Sequence, residues 1–264
     1  MKSKFFLTTI VAIFLTATTV LAYDFGSNIT IYDGSSSELS GWHGKNEDQE
    51  VEPGDATGQV WDLEGFFLDG SSLTMVGGFD FINGVSGYSY ESGDIFIDTD
   101  GNYTSTGGSS SNGYENVNSN FGYEYVLDMD FANGTYDVYA LSSDDTTVTV
   151  YYSQNDASNP FRYVSGGETV LSGLSFGYLS GLSDNDTGLL GDTHNAVTVD
   201  IGFLAGVIPG EDFTAHFTIG CGNDNLMGKG TAPVPEPTTI LLSGLGLLGM
   251  GFLLRRKHNH KLAR

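Results

Sequence analysis

Tyr123-Glu124-Tyr125-Val126-Leu127-Asp128-Met129-Asp130-Phe131, then Ala132-Asn133-Gly134, then Thr135 to Leu141, is the stretch that decides the fold. Tyr125, Leu127, Met129 and Phe131 alternate with other residues, among them Asp128 and Asp130. A period of two puts the apolar set on one face of a strand and the carboxylates on the other. Asn133-Gly134 supplies the positive φ that a tight reversal needs. The segment therefore predicts an antiparallel hairpin with one buried face.

Short runs of the same kind recur on both sides. Gln59 to Leu63, Phe66 to Leu68 and Leu73 to Val76 are separated by Gly or Asp-Gly-Ser-Ser turns. Phe79 to Ile82 runs into Asn83-Gly84, and Asp94 to Asp98 into Asp100-Gly101. Thr146 to Tyr152, Thr169 to Leu171, Ala196 to Phe203 and Phe213 to Ile219 follow the hairpin. No long segment carries helical apolar periodicity, and no fixed repeat length emerges. Many short strands with turns between them predict an all-β fold, a single jelly-roll-like β-sandwich over residues 23–230. Thr104 to Asn120 and Ser180 to Asn195 read as loops, and Lys229 to Val234 as a short linker.

Met1 to Ala22 reads as a secretory signal peptide. Lys2 and Lys4 form its basic start, Phe5 to Val20 its apolar core, and Val20-Leu21-Ala22 its cleavage positions. No Cys follows to accept a lipid. At the other end stand Val234-Pro235-Glu236-Pro237, an apolar run from Thr238 to Leu254, and Arg255-Arg256-Lys257 within a basic tail over residues 255–264. The two prolines fix φ and lack N–H groups, so this element is extended and accessible. The apolar run gives about 25 Å of helix, enough to span a bilayer with snorkelling arginines. The basic cluster should stay cytoplasmic, leaving the rest of the chain outside.

This tripartite tail, over residues 231–264, resembles the PEP-CTERM sorting signal of bacterial exosortase substrates, with Val234, Pro235, Glu236 and Pro237 as its motif. The resemblance implies cutting near the motif by a membrane-embedded exosortase with cysteine-protease, transpeptidase-like chemistry. It also implies a Gram-negative source that makes extracellular polysaccharide. Expected partners are the secretion machinery, the exosortase, the membrane through residues 238–254 before processing, and exopolysaccharide. The pieces Glu47 to Gly54, Val60 to Gly65, Gly93 to Gly101, Tyr123 to Asp130 and Gly222 to Gly228 look like a set recurring in exosortase-dependent surface proteins. That wider resemblance transfers no catalytic residues. The expected location is a membrane-anchored precursor, then the cell envelope surface or the extracellular matrix of a biofilm.

Between Tyr23 and Pro233 thirty-two acidic residues face three basic ones, Lys45, Arg162 and Lys229, a formal charge of −29. This excludes nucleic acid and anionic lipid as electrostatic partners and favours divalent cations or a neutral or cationic polysaccharide. Cys221 is the only cysteine, so stability must come from the core or from bound metal. It reads as a small buried residue at a strand end.

Two stretches carry metal-ligand chemistry. In Asp94-Ile95-Phe96-Ile97-Asp98-Thr99-Asp100-Gly101-Asn102, Asp94, Asp98, Asp100 and Asn102 are the candidate oxygens for a structural calcium ion. Asp98, Asp100 and Asn102 match the first three ligand positions of a calcium loop. No acidic residue stands at the twelfth position, so another strand must complete such a site. In Glu47-Asp48-Gln49-Glu50-Val51-Glu52-Pro53-Gly54, Glu50 and Glu52 share a face if the segment is a strand. First and last strands of a jelly roll lie together, which would bring Asn223-Asp224-Asn225 there and add Asp224 as a ligand.

For catalysis the chain offers little. His43, His194 and His216 are scattered, and no Gly-x-Ser-x-Gly elbow is present. The expected function is a non-catalytic, calcium-stabilised surface or matrix protein. The alternatives are a carbohydrate-binding module, with tyrosines or Trp42 stacking on sugar rings, and a polysaccharide-active hydrolase with paired carboxylates. Trp61 is read as core.

Overall fold

The hairpin forms as its periodicity predicts. Tyr125–Asp130 pairs antiparallel with Thr135–Ala140, with Leu127 opposite Val138 and Met129 opposite Tyr136. Asn133 and Gly134 both donate their N–H to the Asp130 carbonyl, and Gly134 holds φ +71°. Tyr125, Leu127, Met129 and Phe131 enter the main core, while Val126 packs into a smaller cluster on the opposite face. The computed structural model describes residues 22–32, 42, 47–52, 55–104, 115–149 and 158–235. The expected signal peptide and sorting helix lie outside the described residues, as do His43, Glu236 and Pro237. Among the described residues, no helix is long and apolar enough to cross a membrane.

In chain order the strands are β1 (Ser27–Asn28), β2 (Thr30–Ile31), β3 (Leu63–Asp69), β4 (Ser72–Gly77), β5 (Ile95–Asp98), β6 (Glu115–Val117), β7 (Tyr125–Asp130) and β8 (Thr135–Ala140). They continue as β9 (Thr146–Val148), β10 (Arg162–Ser165), β11 (Glu168–Ser175), β12 (Gly177–Leu182), β13 (His194–Asp200), β14 (Asp212–Thr218) and β15 (Asn225–Thr231). One short helix, α1 (Asp184–Thr187), joins β12 to β13 and opens with a Ser183/Asp186 capping box. The strands form three antiparallel sheets, ordered β1-β3-β4-β13-β12, β11-β8-β7-β5-β14-β15-β2 and β10-β9-β6. Among the described residues the fold is of the all-β class, mostly antiparallel sheet with a few short helical turns.

Phe66, Leu73, Met75, Val197 and Val199 from the five-stranded sheet meet Ile95, Ile97, Leu127, Val138, Ala215, Phe217 and Leu226 from the seven-stranded sheet in one core. Gly228 of β15 lies against Phe66 so closely that an added Cβ would sit 2.9 Å from its ring. Among the described residues the buried members of this core run from Val51 to Ala232, with Ile29 and Trp42 packed against them. The segment 23–233 therefore contains its own interior.

Several expectations need correction. Gln59 to Leu63 is not a strand: Gln59–Trp61 forms a 3-10 turn, and a continuous β3 begins only at Leu63. Trp61 is nonetheless core. Phe79 to Ile82 is a turn, with the Asp80 side chain accepting from Ile82 and Asn83 N–H groups. Residues 47–52 form no strand. The expected loops at 104–120 and 180–195 contribute β6, the end of β12, α1 and the first residues of β13. The expected linker from Lys229 is strand as far as Thr231, because Lys229 to Thr231 pair with Thr214 to Asp212. Cys221 is a free thiol, buried at the β14–β15 connection.

Candidate metal centre

Three segments far apart in sequence converge at one end of the core. The first is the turn Glu47 to Glu50. Its Gln49 adopts φ +64°, a left-handed conformation uncommon outside glycine. The Asp62 carboxylate holds this turn, accepting the Gln49 N–H at 2.9 Å and the Glu50 N–H at 3.3 Å. The second segment is Asp62 to Glu64, where the 3-10 turn passes into β3. The third is the β14–β15 connection. Its Asp224 accepts the Leu63 N–H at 2.6 Å and the Asn225 N–H at 2.8 Å. Asn223 ties the first segment to the third: its carbonyl accepts the Glu52 N–H, and its side-chain amide bonds both backbone groups of Ala56.

The result is a nest of carboxylates. Glu47, Glu50, Asp62, Glu64 and Asp224 are each no more than 3% exposed. Oxygens of Glu47, Glu50 and Asp224 all lie within 4.8 Å of one another, and so do those of Asp48, Asp62 and Glu64. Oxygens around one calcium ion, at 2.3–2.6 Å each, are separated by at most about 5 Å. The first trio therefore fits a hard, oxygen-preferring cation and presents no sulfur or nitrogen for a softer metal.

Burial and mutual repulsion dominate the electrostatics. Burial lifts the Asp224 carboxyl well above the usual range, and the Asp62, Glu50 and Glu47 charges lift it further. Asp62 is raised by burial and then by Glu64, against the two backbone N–H groups it accepts. Glu64 is raised by burial, although His194 draws it down. His194 is wholly buried, with Nδ1 at 2.7 Å from Glu64 Oε2 and Nε2 at 3.0 Å from Asp184 Oδ1. Burial opposes its charge, but the two carboxylates outweigh burial and raise its pKa. Arg162 and Lys229, the two described basic side chains, pair elsewhere with Glu91 and Asp212. Lys45 lies outside the described residues.

The sequence-derived ligands fall into three groups. Glu50 and Asp224 meet. Glu52 stands beside them, its Oε1 accepting from the Asn225 amide at 2.7 Å, but it is not one of the trio. Asp98 and Asp100 meet Glu124, all three with oxygens within 4.8 Å, so the partner from another strand is the residue just before β7. There much of the carboxylate capacity goes to the turn. Asp98 accepts from Gly101, Asn102 and Tyr103, while Asp100 accepts both the backbone and side-chain N–H groups of Asn102. Asn102 acts here as a donor. Asp94 stands apart, four residues and about 13 Å of strand from Asp98. It is fully buried, accepts the Met129 and Tyr163 N–H groups at 2.8 Å each, and is pushed up to about 7 by burial and by Asp128.

Glu47 and Asp48 belong to the acidic run and His194 to the scattered histidines, but neither they nor Asp62, Glu64 and Glu124 are named as ligands from the sequence. A signal for two of them was present: Asp62 and Glu64 interrupt the apolar run Val60 to Phe67, and a carboxylate in such a run is buried with a purpose or not tolerated. What surrounds these two is set largely by distant contacts, His194 reaching Glu64 across 130 positions and Asp224 reaching Leu63 across 161, which local pattern does not encode.

Residues 233–257 match the family model of the PEP-CTERM protein-sorting motif. This is the signal read from Val234 to Lys257, and it marks the chain as exosortase-dependent. Val234 and Pro235, the described part of the motif, are exposed. No curated protein and no solved structure matches the chain.

Proposed function

From the sorting motif at residues 233–257 as premise, we propose that this chain is an exported, exosortase-processed cell-surface or extracellular-matrix protein with a non-catalytic acidic β-domain held together by calcium. A signal of this kind implies a membrane-anchored precursor that is then delivered to the surface. The observation that carries the calcium clause is the buried trio Glu47, Glu50 and Asp224, backed by Asp62 and Glu64. Their oxygens are turned into the protein, which suits a structural ion and not a substrate. Asp98, Asp100 and Glu124 are a second, more exposed candidate for the same cation. The antiparallel pairing of β2 with β15, together with the core shared by the two larger sheets, supports a jelly-roll-like β-sandwich.

Calcium titration of segment 23–233 by calorimetry tests the metal clause. Binding that disappears in Asp224→Asn is expected; heat from calcium that is unchanged in this variant refutes the site. Mass spectrometry of the protein from cells with and without their exosortase tests processing. A mature C-terminus near Pro235 only in the first strain is expected, and an intact tail in both refutes it.

A further inference from the structure

A groove of about 760 Å³ lies beside the β7–β8 turn, between the outer face of that hairpin, the Ile82 to Ser92 segment and the start of β10. Its residues differ from those of the carboxylate nest. Asp128 and Asp137 are register partners across β7 and β8. They face the groove because their neighbours Leu127, Met129, Tyr136 and Val138 face the core. Asp137 accepts the Gly173 N–H at 2.6 Å. Among the described residues no hydrogen-bond donor reaches Asp128, which sits half-buried beside a like charge. Behind it, Asp94 ties β7 to β10 through the Met129 and Tyr163 amides and so fixes the groove floor.

The rim supplies aromatic faces. Tyr88 is 59% exposed, stacked on Tyr90 at 5.9 Å and 18° and meeting the Trp61 edge at 5.1 Å. Tyr163 stacks on Tyr139 at 4.8 Å. Arg162 is held at the mouth by Glu91 at 2.7 Å. A ring packed on other rings and, lining the same groove, an acceptor that lacks a donor are the pairing that recognises a sugar: the ring covers the apolar C–H face, and the carboxylate takes hydroxyl or amino hydrogens. Glu91, Asp128, Asp130 and Asp137 against one arginine turn away anionic glycans.

We propose that this groove binds a pyranose chain of the neutral or amino-sugar class, with Tyr88 as stacking platform, Asp128 as hydrogen-bond acceptor and Arg162 as donor. The proposal names a partner for the exported protein and rests on that reading only for its setting. Binding is measured on purified segment 23–233 in calcium, so its failure is distinct from a failure of sorting or of metal binding.

The test is calorimetry with three probes: cello-oligosaccharide, chitosan oligosaccharide and oligogalacturonate. The neutral or the amino probe should bind and the galacturonate should not. Tyr88→Ala and the isosteric Asp128→Asn should each weaken binding about tenfold or more in protein that still melts cooperatively. Tyr23→Ala, an exposed ring outside the groove, should leave it unchanged. The proposal is overturned if neither the neutral nor the amino probe binds, if galacturonate binds equally well, or if Tyr88→Ala and Tyr23→Ala behave alike.

Discussion

Removing calcium while raising the pH should destabilise the domain far more than either change alone. With Glu47, Glu50 and Asp224 ionised, each pair, taken at the 4.8 Å upper limit of its separation, repels by about 3.5 kcal/mol at an effective dielectric of about 20, so the trio stores about 10 kcal/mol. That is comparable to the whole stability of an ordinary domain, about 5–15 kcal/mol. Without a cation the folded protein must therefore keep protons that the unfolded chain releases. The folded-state pKa values of Asp62, Glu64 and Asp224 are raised above their unfolded values. Their favourable contribution is complete below the unfolded carboxylate range and is lost as pH rises through the elevated folded values. Calcium held by these residues would need them deprotonated, so its affinity should grow over the same range. At a thousandfold excess over Kd it adds about 4 kcal/mol. For about 200 residues this raises Tm by about 8–16 °C. Calorimetric melting of segment 23–233, in calcium and in EDTA, from about pH 5 to about pH 8 should show a gap in Tm that widens with pH. A gap absent at the alkaline end, or one that narrows as pH rises, refutes the reasoning.

Three further outcomes are expected. Gln49→Gly should raise stability by about 1 kcal/mol in denaturant titration, because φ +64° costs a side-chain-bearing residue and not glycine; a clear loss would show that the glutamine side chain matters more than its backbone. Gly228→Ala should cost about 1–3 kcal/mol, read as a lowered urea midpoint, since the new methyl must displace Phe66 at the contact between the larger sheets. His216 is buried between Pro160 O, at 3.0 Å from Nε2, and Met227 Sδ, and burial pushes its pKa down to about 4. Its contribution is thus present above the unfolded histidine value and lost as pH falls toward about 4, and an NMR titration should find the ring neutral at pH 6; a protonated ring there would contradict its placement.

What was legible in the sequence followed from local chemistry. The β7–β8 hairpin was readable because alternation and Asn133-Gly134 agree within about twenty residues. The turn after Asp98 was readable for the same reason, since Asp100-Gly101 folds back on its own carboxylates. Strands with little alternation escaped. β15, Asn-Leu-Met-Gly-Lys-Gly-Thr, carries two glycines, and those glycines exist to admit Phe66, Phe213 and Leu68 from neighbouring strands. That requirement is visible only once the sheets are packed.

By itself, then, the sequence determined that the protein is β-rich, acidic and marked for sorting, because alternation, composition and the tail from Val234 to Lys257 are each contained within a continuous stretch. Tertiary structure decided where the charges matter. Asp80, Asp100 and Asp130 spend their oxygens on N–H groups two or three residues away. Glu47, Glu50, Asp62, Glu64 and Asp224 come together because the turn at 47–50, the start of β3 and the β14–β15 connection, the last two 161 positions apart at Leu63 and Asp224, meet in the interior. There repulsion is poorly screened by water, and beyond the N–H groups and His194 already bonded to these carboxylates its relief would come from protons or a cation.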